Sequence, residues 1–211
     1  MGIYSRLIFP RLLDLSMSGQ ELSGYRQSLL KSVEGEVLEI GFGTGLNVPY
    51  YGDRVTSLTA IDPNEGMAAI ANPRIQTSTV KINLQTAKAE ALPMAAHSFD
   101  AVVCTWTLCS IPNIEQALAE VYRVLKPGGK FFFIEHGLSP ESGVGLWQRR
   151  LTPIQRRMAD GCHLDRPMGS LVHSVFEQVA IEEFYATSLP KVMGYFYQGV
   201  ATKGMPMPVH P

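Results

Sequence analysis

Apolar residues at Ile114, Ala117, Leu118, Val121, Tyr122 and Leu125 recur with the three-to-four-residue step of a helix. Asn113 stands where an N-cap is needed, Gln116 follows as its capping-box partner, and the Lys-Pro-Gly-Gly run at 126–129 should stop the helix. A second stripe, Leu22, Tyr25, Leu29, Leu30 and Val33, predicts a helix ending near Glu34-Gly35. A shorter apolar helix is expected from Pro10 to a stop at Gly19. Elsewhere the apolar positions run together. EVLEIG, VTSLTAID, INLQTA, FDAVVCT and KFFFIEH are short and bounded by turn residues, as strands covered on both faces should be. Residues 45–52 should open a helix, and NEGMAAIA should form another. A helical region over roughly 144–178 is expected to break at Pro153 and Pro167. VAIEEFYAT and YFYQGVATK then read as an antiparallel pair.

Strands alternating with helices predict an α/β fold with a mostly parallel sheet of seven strands, an antiparallel terminal strand and helices on both faces. A length of 211 residues suits one such domain. The expected organisation is a helical lid over 1–34, the main domain over 35–203 and a frayed Pro-rich tail over 204–211.

Charge narrows the partners. Lys and Arg number 18 against 19 Asp and Glu, so the basic footprint of a nucleic-acid binder is missing. No apolar run reaches the ~18 residues of a membrane span, and Arg6, Pro10, Arg11 and Asp14 interrupt any signal-peptide pattern at the start. The expected setting is cytoplasmic. The three cysteines, Cys104, Cys109 and Cys162, form no C-x-x-C, which argues against a disulfide framework or a structural zinc site.

The first strand ends in Glu39-Ile-Gly41-Phe-Gly43-Thr-Gly45, and the second ends in Asp62. In a doubly wound sheet, ligands bind beyond the carboxyl ends of the strands. Bare glycines there allow close backbone approach, and Asp62 is placed to receive a ribose. A nicotinamide dinucleotide needs G-x-G-x-x-G, but the last position is Leu46, and no Gly-Lys-Ser/Thr makes a P-loop.

The E-x-G-x-G-x-G spacing, with IDPNEGM, AEALPMAAHSFDAVVCT and ALAEVYRVLKPGGKFFFIEH in order, resembles class I S-adenosylmethionine-dependent methyltransferases of the type 11 domain over about residues 33–140. That resemblance implies a Rossmann-like fold and S-adenosylmethionine as cofactor, with S-adenosylhomocysteine as product. It implies a cofactor site made of Glu39, Gly41, Gly43, Gly45, Asp62, Pro63, Met67, Ala89, Glu90, Cys104 and Thr105. Many relatives carry an acid where Lys88 stands, so Glu90 and the Ala89 backbone are expected to take over that contact. VVCTWTLCSIPN, Glu135-His136 and Asp160-Gly161-Cys162 resemble the methyltransferase-like alkyl thiol methyltransferases and their bacterial relatives.

On the acceptor side a small, apolar molecule is expected, a thiol first. A phospholipid amine or a quinol is the enzymatic alternative, and a non-catalytic cofactor-binding sensor or partner protein is the alternative of another class. A dehydrogenase comes third. His136 is the one candidate for a catalytic base, set against a structural histidine. Cys162-His163 with His136 fits no zinc spacing, so no metal is expected. Tyr195, Phe196, Tyr197, Trp106 and Trp147 are candidates for an apolar pocket or for core. Tyr4 and Arg11 are expected to reach the cofactor from the lid. The Arg149-Arg150 and Arg156-Arg157 pairs suit a solvated face and leave room for weak contact with an anionic membrane surface. Nothing in the sequence specifies an oligomeric state.

Overall fold

In the computed structural model, which describes residues 4–205, the two apolar patterns separate as expected. Strands β1 (Gly35–Ile40), β2 (Val55–Ile61), β3 (Ile82–Gln85), β4 (Phe99–Thr105), β5 (Leu125–His136), β6 (Gln178–Tyr185) and β7 (Tyr195–Thr202) build one sheet in the order β3-β2-β1-β4-β5-β7-β6. The pairings from β3 through β5 are parallel, and β7 runs antiparallel to both β5 and β6. The order reverses between β1 and β4, which places a crevice beyond their carboxyl ends.

The near-continuous apolar runs are explained by cover on both faces. Phe131 and Phe133 of β5 join one core cluster, while Phe132 and Ile134 join the other. Helix α4 (Ile114–Val124) buries Ile114, Ala117, Leu118, Val121 and Val124 in the first cluster. Each of the larger side chains, Ile114, Leu118, Val121 and Val124, contributes about 1.5–3 kcal/mol when removed from water. Asn113 caps the helix by accepting the Gln116 N–H. Helix α2 (Gln20–Leu30) brings Leu29 and Leu30 to the second cluster, beside β1.

Several local expectations are corrected. Residues 45–52 form only one 3-10 turn, Val48–Tyr50, because Pro49 and the glycines favour a turn over a helix. The Lys-Pro-Gly-Gly run does not lie outside the fifth strand; it forms a bulge within β5, where the register opposite Phe99 and Ala101 shifts. Helix α1 spans Phe9–Met17, and α2 stops at Leu30, short of Glu34. A 3-10 turn over Glu65–Met67 leads into α3 (Ala68–Gln76). Helix α5 (Ser142–Met158) runs unbroken through Pro153, and α6 spans Met168–His173. A mid-helix proline costs about 3 kcal/mol. Buried Gln148 and Thr152 anchor α5 against that cost: Gln148 donates to the Gly137 and Val192 carbonyls, and Thr152 donates to Asp165. Most of the expected tail, 206–211, lies outside the described residues.

Candidate functional site

The glycine loop leaves β1 with Gly41, Gly43 and Gly45 all at positive φ, conformations that a side chain resists. Their reasons differ. A Cβ on Gly41 would stand 2.6 Å from Thr107 Cβ, so this glycine serves packing. A Cβ on Gly43 would meet nothing nearer than the Gly41 carbonyl at 3.9 Å, so open space lies beside this backbone. The Gly43 N–H donates to Asp62 Oδ2 at 2.8 Å, and Oδ1 accepts the Asn64 N–H at 2.8 Å. Asp62 therefore links the ends of β1 and β2. Burial pushes its carboxyl up, against those two N–H donors.

Glu39 is only 1% exposed. It accepts from Asn47 Nδ2 at 2.8 Å and from the Tyr51 hydroxyl at 2.7 Å. Asn47 also donates to Thr105 Oγ1 at 3.0 Å, so Glu39 braces the loop against β4. Burial pushes Glu39 up to about 7; the Tyr51 and Asn47 hydrogen bonds and the Arg26 charge oppose it.

The N-terminal helices reach this loop, but not through Tyr4 or Arg11. The Tyr4 hydroxyl donates to the Met158 carbonyl and Arg11 donates to the Leu7 carbonyl. Asp14 and Arg26 take their place. Asp14 pairs with Arg74 at 2.8 Å, and Arg74 donates to the Thr44 carbonyl of the loop. Arg26 is buried, lies 4.7 Å over the Trp106 ring and donates to the Met17 carbonyl. Trp106 follows β4 at φ 50, a left-handed conformation unfavourable for a bulky residue. Arg26 Nε, Asn47 Oδ1 and Trp106 Nε1 are buried without a protein partner among the described residues. Arg26 is buried on α2 together with Leu22, Leu29 and Leu30, which the apolar stripe alone does not announce.

Of the other expected residues, those at the end of β4 and after β2 and β3 lie at the carboxyl ends of the strands, and the aromatics do not all gather there. Pro63 is exposed and Met67 is buried in the turn after β2. Ala89 is buried and Glu90 half-buried in the turn after β3. Cys104 is a core residue whose thiol donates to Glu135, while half-buried Thr105 carries the Asn47 contact. Trp147 lies on α5, 55% exposed, where it lines an open surface cleft with Val144, Leu151, Lys191 and Val192, away from the glycine loop. Tyr195, Phe196 and Tyr197 are core.

Glu135 is fully buried. Its Oε1 accepts the Thr107 and Leu108 N–H groups, each at 2.7 Å, and Oε2 accepts the Cys109 N–H at 3.4 Å. Burial pushes this carboxyl up to about 7 against the Leu108 and Thr107 donors. Beside it, His136 Nε2 lies 3.1 Å from Cys162 Sγ. A hydrogen bond from Cys109 and the pairing with His136 lower the Cys162 thiol against its burial. His163 turns away and bonds the Cys109 carbonyl, so the third member of this group is Cys109, which spacing along the chain did not reveal.

A family model described as a methyltransferase domain matches residues 38–133. The thiol S-methyltransferase TMT1B of Homo sapiens is 31% identical over 194 residues, covering 82% of this chain and 77% of that protein. The chain spans 65% and 66% of the length of two further thiol S-methyltransferases, from Rattus norvegicus and Homo sapiens. A ubiquinone/menaquinone biosynthesis C-methyltransferase of Methylobacterium nodulans is 37% identical over 103 residues, covering 47% of this chain and 41% of that protein. The crystal structure of a SAM-dependent methyltransferase from Thermotoga maritima superposes with a TM-score of 0.69 at 24% identity, covering 95% of this chain and 98% of that one; it bears on the fold alone.

Proposed function

Since the chain belongs to the S-adenosylmethionine-dependent methyltransferases, we propose that it transfers the methyl group of that cofactor to the sulfur of a small apolar thiol. The observation that carries the thiol is the extent of the likeness. Identity with a thiol S-methyltransferase runs over most of the chain, whereas identity with the quinone C-methyltransferase covers under half of it.

The residues present fit the cofactor. Space beside Gly43 admits a ligand against bare backbone, and Asp62 offers lone pairs beyond its two backbone bonds to ribose hydroxyls. Arg26 Nε is a free donor for a carboxylate, and Asn47 Oδ1 a free acceptor for an ammonium, the two charges of a methionyl end. In this reading Pro63, Met67, Ala89 and Glu90 flank the base, Cys104 and Thr105 offer backbone to the amine, and Glu39 acts through Asn47. Gly41 and Gly45 shape the loop.

When bound, the cofactor supplies a methyl group on a sulfonium, which is its own leaving group. The chain must therefore align the acceptor and exclude water. A thiol with the cysteine pKa of ~8.5 is partly ionised at neutral pH, so for such an acceptor transfer proceeds without an obligatory base. The expected acceptor is a small molecule. Production of S-adenosylhomocysteine by purified protein, offered small thiols, quinols and a lipid extract, tests the reading. Turnover with thiols alone is expected. Turnover only with quinols or phospholipid amines would move the acceptor. Cofactor binding without any turnover would favour a sensor or partner protein, and no binding would overturn the cofactor assignment.

A further inference from the structure

Three soft donor atoms converge at the carboxyl end of β5: Cys109 Sγ, Cys162 Sγ and one ring nitrogen of His136, all within 4.8 Å of one another. They come from three separate segments, each pinned by its own hydrogen bonds. Glu135 holds the loop carrying Cys109, and Arg166 holds it from the other side through the Leu108 and Ile111 carbonyls. The turn carrying Cys162 packs on that loop: Gly161 sits at φ 92, where a Cβ would stand 3.1 Å from the Ser110 carbonyl. The next residue, His163, donates its N–H to the Cys109 carbonyl at 2.9 Å. The two thiols are thus held together by backbone geometry, whatever their state.

His136 completes the set. Its Nε2 faces Cys162, and its Nδ1 is buried with no partner among the described residues. Nε2 is therefore the nitrogen turned toward the two thiols. We propose that Cys109, His136 and Cys162 form a site for a zinc-class divalent cation. Zn–S bonds of about 2.3 Å and Zn–N bonds of about 2.0 Å place tetrahedral ligand atoms roughly 3.5–3.8 Å apart, inside the observed spread. Two thiolates and an imidazole select zinc over hard cations. Three protein ligands leave the fourth position to water or to an acceptor heteroatom, the arrangement of a catalytic zinc centre. Metal binding would replace the expectation of no metal, and it does not depend on which acceptor is methylated.

The test uses the full chain, purified under reducing conditions, stripped with a chelator and titrated with Zn²⁺ and Co²⁺. One equivalent of Co²⁺ should bind and show intense thiolate-to-cobalt charge transfer with tetrahedral visible bands. Cys109→Ser and Cys162→Ser should each weaken metal binding by more than about 100-fold, beyond the cost of losing an outer-shell partner. In the unmodified chain, Zn²⁺ should also protect two of the three thiols from alkylation, a readout that needs no variant. The proposal is overturned if Co²⁺ binds without charge transfer, or if both serine variants retain S-adenosylmethionine binding and unchanged metal uptake. It is also overturned if the reduced protein takes up neither Zn²⁺ nor Co²⁺; loss of two thiols on air oxidation would then mark the pair as disulfide-forming.

Discussion

Gly41 and Gly43 share a loop and a positive φ, yet they should fail differently. At Gly43 an added methyl meets open space, so Gly43→Ala costs only the left-handed strain of about 1–2 kcal/mol while its side chain occupies the crevice. Thermal melting should show a modest loss and calorimetry a large fall in S-adenosylmethionine affinity. Gly41→Ala drives a methyl into Thr107 and should lower the melting temperature more than Gly43→Ala does. Asp62→Ala removes charged hydrogen bonds worth about 1.5–3 kcal/mol each. Cofactor affinity should drop by about 10- to 150-fold. Affinity unchanged in Asp62→Ala would refute its place in the site. Legibility at this scale was uneven. The glycines and Asp62 stand out in sequence because backbone approach and a ribose-facing acid demand those residue types. Arg26 and Asn47 do not, since nothing local to them announces that Nε and Oδ1 will be buried and unpartnered.

Among the elements, α2 is attached to the connection between β6 and β7 by one carboxylate. Glu21 accepts from the Thr187 N–H and hydroxyl, the Ser188 N–H and the Tyr25 hydroxyl. Hydrogen bonds from Ser188, Thr187 and Tyr25 hold its pKa down at about 2, against an ordinary 4.5. A depressed carboxylate contributes stability above its unfolded pKa and loses it as pH falls through the folded value. The attachment should therefore be complete above pH 4.5 and lost between 4.5 and about 2. Hydrogen exchange at the Thr187 and Ser188 amides should rise relative to the β-sheet across that window. In Glu21→Gln the rise should be present at neutral pH; protection that stays pH-independent would refute the link. The stripe and N-cap of α4 were legible because they act within a few residues, but its end was not, since Leu125 and the Lys-Pro-Gly-Gly run are drawn into β5 by pairing with β4. Nor was the unbroken α5. Pro153 predicts a break locally, and only Gln148 reaching the Gly137 and Val192 carbonyls outweighs it.

For the whole molecule, α1 and α5 leave large apolar side chains on the surface, Leu15 at 78% and Trp147 at 55% among them. Arg149, Arg150, Arg156 and Arg157 are exposed on α5, and Tyr4 joins the start of the chain to the end of α5. Exposed arginines suit a solvated face, and the room they leave for weak contact with an anionic membrane surface is open to test. Membrane contact through this surface would make the protein cosediment with anionic vesicles more than with neutral ones, and Leu15→Ser with Trp147→Ser would reduce it; equal sedimentation with both vesicle types leaves the arginines as a solvated face. Among the described residues no helix is long and apolar enough to cross a membrane. The sequence by itself determined the strand and helix alternation, the parallel sheet with its antiparallel end, and the glycine loop with its acid. Those features depend on side-chain periodicity and on backbone demands that act between neighbours in the chain. Only the tertiary structure decided that Arg26 is buried over Trp106, that Glu39 is consumed by Asn47 and Tyr51, and that Cys109 rather than His163 joins His136 and Cys162. These are meetings of residues far apart in the chain, and packing of whole elements, not spacing, brings them together.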